Sequence, residues 1–171
     1  MKIYFPGRFQ PFHYGHLEEI RMIKRKFPKS DLYLLVVETN RENFYSPFKK
    51  EEVLSIIDSY NPSVQGIEVI RPYEIVFKRK SLIVTGSPLK KLLYDFLLLN
   101  SYFLENEEMK NISATKIKRL IIKGNLKEAS KYVNGFTLEK LIKKQEEGVL
   151  LRNYSENKLK NLYYRFIGKY I

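Results

Sequence analysis

The chain has no cysteine, no tryptophan and only two histidines in 171 residues. Without cysteine there are no disulfides, no thiolate nucleophile and no sulfur-ligated zinc. Long apolar runs are missing too: none approaches the roughly 20 residues a membrane-spanning helix needs, and the N-terminus enters a strand with no apolar leader. A cytoplasmic protein without membrane contact is expected. Acidic residues are the scarcer charge, 19 against 31 Lys and Arg, for a net charge of +12. Such a surface attracts anions. The basic residues are spread over 21–26, 78–80, 116–119 and 140–144, where solvated helix faces account for them, so nucleic acid is not the expected partner and nucleotides are.

No linker, repeat or low-complexity tract divides the sequence. It reads as one domain over 1–171, with an α/β core in 1–110 and a helical C-terminal part in 111–171. Residues 2–6 alternate polar and apolar and predict a strand, and Leu17, Ile20, Ile23 and Phe27 recur at helical spacing after it. Strands are predicted at 32–37, 67–70, 81–85 and 102–104. Helices are predicted at 47–60, with Phe48, Val53, Ile56 and Ile57 inward, and at 89–99. After Ser113 the pattern is helical: one helix carries Ile117, Leu120 and Ile121, and others cover 126–133, 138–145 and 157–168. Strands separated by helices imply a Rossmann-like, doubly wound parallel sheet that binds ligands beyond its carboxyl ends.

The most informative segment is Gly7-Arg8-Phe9-Gln10-Pro11-Phe12-His13-Tyr14-Gly15-His16, which lies between the first strand and the first helix. Unpaired backbone N–H groups and the positive end of the helix dipole make such a junction a phosphate site. Gly7 and Gly15 let the backbone approach a ligand. Arg8 offers a guanidinium fork to a phosphate, and Phe9 a wall. His13 and His16, the only histidines, bring imidazole donors. As metal ligands they are poor, with no third or fourth ligand nearby in sequence, and no protein-held metal is expected.

This segment matches the GRFQPFHxGH form of the HxGH motif of the nucleotidylyltransferase superfamily and resembles archaeal-type nicotinamide-mononucleotide adenylyltransferases. Val84-Thr85-Gly86-Ser87-Pro88-Leu89 is similar to the family's TGNPL turn, and Ile112-Ser113-Ala114-Thr115-Lys116-Ile117-Lys118 to its ISxTxxR motif. The resemblance spans residues 1 to about 125. It implies transfer of AMP from ATP to nicotinamide mononucleotide, giving NAD and pyrophosphate, with Mg2+ accompanying ATP, and a homo-oligomer to which the aromatic tail contributes. It assigns phosphate contacts to His13 and His16, with His16 closest to the reacting phosphate. Gly86 is placed beside adenine or ribose, and Ser113 and Thr115 at the outer phosphates.

Three departures stand out. The family's arginine falls on Lys118, with Arg119 next to it, and either residue is positioned to replace it, three or four places after Thr115. In Asn43-Phe44-Tyr45-Ser46-Pro47-Phe48-Lys49-Lys50-Glu51-Glu52-Val53, which resembles NPFTAGER, Val53 stands in place of arginine and Lys49 and Lys50 are the candidate substitutes. With no Trp to stack on nicotinamide, Tyr73 and Phe77 are the available rings. The competing readings are the same transfer to another acceptor, such as phosphopantetheine or FMN, and a nucleotide- or RNA-binding relative without turnover.

Overall fold

The computed structural model describes residues 1–39, 42–105, 112–152 and 154. The chain divides into two compact units, Met1–Phe9 with Tyr14–Glu38 and Asn61–Asn111, and Gln10–His13 with Thr39–Tyr60 and Ile112–Ile171.

The first unit holds the sheet. Its strands are β1 (Lys2–Gly7), β2 (Asp31–Val37), β3 (Gly66–Ile70), β4 (Leu82–Thr85) and β5 (Ser101–Phe103). They are all parallel, in the order β3-β2-β1-β4-β5. Chain order reverses between β1 and β4, which makes their carboxyl ends the topological switch point where open parallel sheets bind ligands. Ile3 pairs with Leu82 and Tyr4 with Ile83, and that register, continued, brings Gly7 level with Gly86. β1 is buried from Ile3 to Gly7 and β2 at four of its seven positions, as expected of parallel strands covered on both faces. Tyr4, Leu35, Ile70 and Ile83 form the core on one face, together with Tyr94 and Leu99 and with Ile75 of a 3-10 turn at Pro72–Lys78.

Helix α1 (Tyr14–Lys26) follows β1 and buries Gly15, Ile20 and Ile23. Helix α3 (Pro88–Phe96) follows β4; Ser87 caps it by accepting from Lys90 N–H, Pro88 opens it, and Tyr94 is its buried residue. The second unit is helical, with α2 (Lys50–Asp58), α4 (Ala114–Ile122), α5 (Leu126–Ala129), α6 (Gly135–Glu146) and a 3-10 turn at Val149–Leu151. Phe48, Val53, Ile56 and Ile57 are all inward as predicted.

The boundaries differ where side chains cap. Asn43 Oδ1 accepts from Tyr45 and Ser46 N–H and holds a tight turn, which delays α2 to Lys50. Asn134 accepts from Thr137 N–H and starts α6 at Gly135, three residues earlier than the apolar spacing predicts. The predicted helix at 157–168 and the aromatics Tyr163, Tyr164, Phe166 and Tyr170 lie outside the described residues. Among the described residues no helix is long and apolar enough to cross a membrane.

Candidate active site

The HxGH segment contributes to both units: residues 7–9 and 14–16 belong to the first, and 10–13 to the second. In the first unit the chain leaves β1 through Arg8, which is half-buried, and Phe9, whose φ of 51° lies in the left-handed region. That conformation is costly for a residue with a Cβ. It turns the ring back over the strand end, where a Cβ on Gly7 would come within 2.7 Å of Phe9 Cε1. The space left by the missing side chain of Gly7 is filled by the Phe9 ring, so a glycine is required there.

The Phe9 ring meets His16 edge-on, with centroids 5.0 Å apart, and Phe5 at 5.8 Å. His16 is half-buried in the first turn of α1. That turn contains no acidic residue, so no carboxylate of its own offsets the positive end of the helix dipole.

In the second unit Gln10 is buried and its side-chain amide pairs with Phe48 in both directions, Nε2 donating to the carbonyl at 2.9 Å and Oε1 accepting from N–H at 3.0 Å. The Gln10 carbonyl accepts from Lys118 Nζ at 3.1 Å. Lys118 is 2% exposed, and its ammonium stands 4.9 Å from the centre of the Phe44 ring. Of the two candidates to replace the family's arginine, Lys118 is thus turned inward onto the motif's own backbone. Arg119 is half-buried, and its Nε is buried without a hydrogen-bond partner among the described residues. Burial, aided by the charge on Lys118, holds His13 down at about 3, so at neutral pH its imidazole is uncharged and carries one N–H donor.

The second phosphate segment begins α4. Ser113 is an exposed N-cap accepting from Lys116 N–H at 3.2 Å, and Thr115 is half-buried in the first turn, which also lacks an acidic residue. At the end of β4, Thr85 is buried and its hydroxyl accepts from Ser87 N–H at 3.2 Å. Gly86 is exposed, and a Cβ on it would run into Glu19 Oε1. Tyr73 and Phe77 are both exposed.

The sequence pattern missed two residues. Glu19 lies one turn after His16 on α1, and burial raises its carboxyl to about 7 against the opposing pull of Lys90. Lys144 on α6, read as part of a solvated basic run, is buried and pairs with Glu42 at 2.6 Å, Glu52 at 3.1 Å and Glu147 at 3.6 Å. It is Lys144 that holds the carboxylate of α2; neither Lys49 nor Lys50 pairs with Glu52 through its ammonium among the described residues. The spacing Glu19 to His16 was the available sign for the first. Nothing local signals the second, whose partners Glu42 and Glu52 are about ninety or more residues away in sequence.

The two perturbed groups have opposite consequences for stability. Glu19 keeps its proton when folded up to about 7, while the unfolded chain loses it near the ordinary carboxyl value. Stability therefore falls as pH rises through that interval, by on the order of 3 kcal/mol. His13 stays neutral when folded down to about 3, whereas unfolding lets it take a proton below its ordinary value. Its contribution is lost as pH falls. Between the ordinary carboxyl and histidine values the two slopes oppose. Glu19→Gln is expected to expose the histidine slope, stability falling by roughly 1.4 kcal/mol per pH unit on acidification. Denaturant titrations from pH 4.5 to 8 check it, and a variant curve parallel to the wild type would remove Glu19 from the account.

A family model described as cytidylyltransferase-like matches residues 4–120. The chain belongs to the cytidylyltransferase-like family. Among its relatives it is 26% identical over 152 residues to nicotinamide-nucleotide adenylyltransferase 1 of Sulfolobus acidocaldarius, covering 74% of this chain and 81% of the relative. It is 28% identical over 150 residues to nicotinamide-nucleotide adenylyltransferase of Sulfurisphaera tokodaii, covering 73% and 81%. Among solved structures, the bifunctional NMN adenylyltransferase/ADP ribose pyrophosphatase of Francisella tularensis, complexed with AMP and an Mn ion, superimposes with a TM-score of 0.62 at 20% identity, over 88% of this chain. This chain spans about half the length of that protein, 50%. The nicotinic acid mononucleotide adenylyltransferase of Plasmodium falciparum complexed with NaAD gives 0.61 at 13% identity, over 83% of this chain and 94% of that one. These likenesses bear out the expected fold, a five-stranded parallel sheet flanked by helices.

Proposed function

We propose that this cytidylyltransferase-like protein is a nicotinamide-mononucleotide adenylyltransferase, acting as a single cytoplasmic domain. It joins the AMP part of ATP to nicotinamide mononucleotide to form NAD and pyrophosphate. The observation that carries the reading is the GRFQPFHYGH segment folded as the β1–α1 turn beside the β4 turn at Gly86, in a chain whose archaeal relatives bear that activity.

In this reaction a phosphate oxygen of the acceptor bonds to the α-phosphorus of ATP as the bond to the β-phosphate oxygen breaks, and pyrophosphate leaves with the electron pair. The nucleophile is already anionic, so charge stabilisation and positioning carry the catalysis. His16 donates to the α-phosphate as charge builds there, and the positive dipole end at the start of α1, with the Gly15 backbone, adds to it. Arg8 grips a phosphate with its fork. His13, neutral and buried, supplies one directed N–H bond. Ser113, Thr115 and the start of α4 hold the outer phosphates, with Arg119 as their cation. Gly86 borders the adenosine. A divalent cation, Mg2+ in our reading, enters bound to ATP as part of the substrate. A homo-oligomer is part of the proposal.

Incubation with ATP, Mg2+ and nicotinamide mononucleotide, followed by chromatography, is expected to yield NAD and pyrophosphate in equal amounts. ATP binding without NAD would refute the acceptor assignment, and pyrophosphate from no acceptor, FMN and phosphopantetheine included, would refute the transfer.

A further inference from the structure

Two consecutive glutamates on α1 have opposite surroundings. Glu18 accepts from two exposed arginines, Arg21 at 3.2 Å and Arg25 at 2.7 Å. Glu19 is turned to the sheet: its Oε1 stands where Gly86 would carry a Cβ, and among the described residues no hydrogen bond holds its carboxyl. The Leu104 carbonyl oxygen, just past β5, borders the same point at 3.8 Å. Gly86 is exposed and Glu19 half-buried, so the space over the glycine is reached from solvent and has acceptors on two sides.

This puts Glu19 at the switch point. His16 and Glu19, three residues apart, share a face of α1 but reach different strands. His16 is braced by Phe9, whose ring covers Gly7 at the end of β1, and Glu19 covers Gly86 just past β4. Helix α1 therefore sends one polar side chain to each lip of the crevice between β1 and β4, where open parallel sheets bind ligands. All of these residues belong to the first unit. Burial raises the carboxyl to about 7, with Lys90 of α3 pulling the other way; what the group lacks is hydrogen-bond donors to hold it ionised. Of the parts of a nucleotide, the phosphates bring acceptors and negative charge, which this place rejects. An exocyclic amine offers its donors from a single nitrogen. The ribose offers two hydroxyls on adjacent carbons, one for each oxygen of a carboxylate.

Resting on the reading above that a nucleotide occupies this crevice, we propose that Glu19 is a specificity-determining residue whose carboxylate accepts from both hydroxyls of a ribose cis-diol lying over Gly86. The consequence is selection against deoxy sugars, which leave the carboxylate oxygens unpaired in a partly buried place.

The test is equilibrium calorimetry on the full chain with Mg2+ at pH 8, where the carboxyl is ionised. It compares ATP with 2′,3′-dideoxy-ATP, and nicotinamide mononucleotide with its 2′,3′-dideoxy form. The wild type is expected to bind one ribonucleotide roughly tenfold or more tightly than its dideoxy partner, and Glu19→Ala to bring that ratio below about threefold. Removing a carboxylate also lessens repulsion of the phosphates, but that effect is common to both ligands and cancels in the ratio. A merely structural role shifts both ligands alike in the same way. Glu19→Gln keeps the volume and one acceptor, so it is expected to give an intermediate ratio, and it decides the matter if the alanine variant fails to fold. Loss of the ratio in the ATP pair assigns the diol to adenosine, and loss in the mononucleotide pair assigns it to the acceptor. Wild-type ratios near one in both pairs, or a ratio that survives substitution of Glu19, would overturn the proposal. Binding is read without turnover, so a chain that forms no NAD but loses its ratio with Glu19 refutes the transfer reading and leaves this one standing.

Discussion

Replacing His16 with alanine is expected to lower kcat by on the order of 100-fold or more while changing ATP affinity by no more than a few-fold. The asymmetry follows from where the imidazole is held. It sits in the first turn of α1, edge-on to Phe9, so its orientation is fixed before substrate arrives. A donor fixed in advance gives up little when the ground state binds and most when charge accumulates on the α-phosphate, a pattern worth roughly 3 kcal/mol of barrier for one such donor. Single-turnover NAD formation and equilibrium ATP titration separate the two quantities. Equal losses in both would mean that His16 grips ATP uniformly and has no special part in the transition state.

The second large effect belongs to Lys118, and it is structural. Lys118→Ala removes the donor to the buried Gln10 carbonyl, the cation facing Phe44 and a fully buried stem. An orphaned buried carbonyl and a cavity of several methylenes together are expected to cost roughly 3 to 5 kcal/mol of stability. Lys118→Met keeps the stem and relieves the desolvation of a buried cation, so it is expected to lose clearly less. Arg119→Ala is expected to leave the unfolding midpoint nearly unchanged and to raise the KM for ATP about tenfold, the loss of one charge-assisted contact. Guanidinium denaturation beside ATP kinetics checks all three. A Lys118→Ala protein of wild-type stability with weakened ATP binding would reverse the assignment of the two neighbours.

The elements most visible in the sequence were those whose signal is local. The runs at 32–37 and 81–85 are apolar because parallel strands are covered on both sides, and both strands appear within one residue of the expected limits. The turn at Asn43 and the cap at Asn134 moved helix starts by three residues, since side-chain hydrogen bonds, not apolar spacing, set them. At the candidate site, the HxGH segment was legible because ten consecutive residues carry it. The division of labour between Lys118 and Arg119 was not. Spacing puts both near Thr115, but only packing against Gln10, 108 positions away, turns one of them inward. Glu19 and Lys144 were hidden for a related reason: a charged residue on an amphipathic helix reads as solvent-facing until the fold supplies what buries it.

Gly7, Phe9 and His16 form a sequence of contacts in which each member limits what the next may be. The ring of Phe9 occupies the place of a Cβ at position 7 and braces the imidazole at 16. A methyl group on Gly7 dislodges the ring, and a smaller residue at 9 makes room for that methyl but leaves His16 without its support. Either single change is expected to loosen the imidazole, so the residue tolerated at position 7 is tied to a histidine nine positions away through the ring between them.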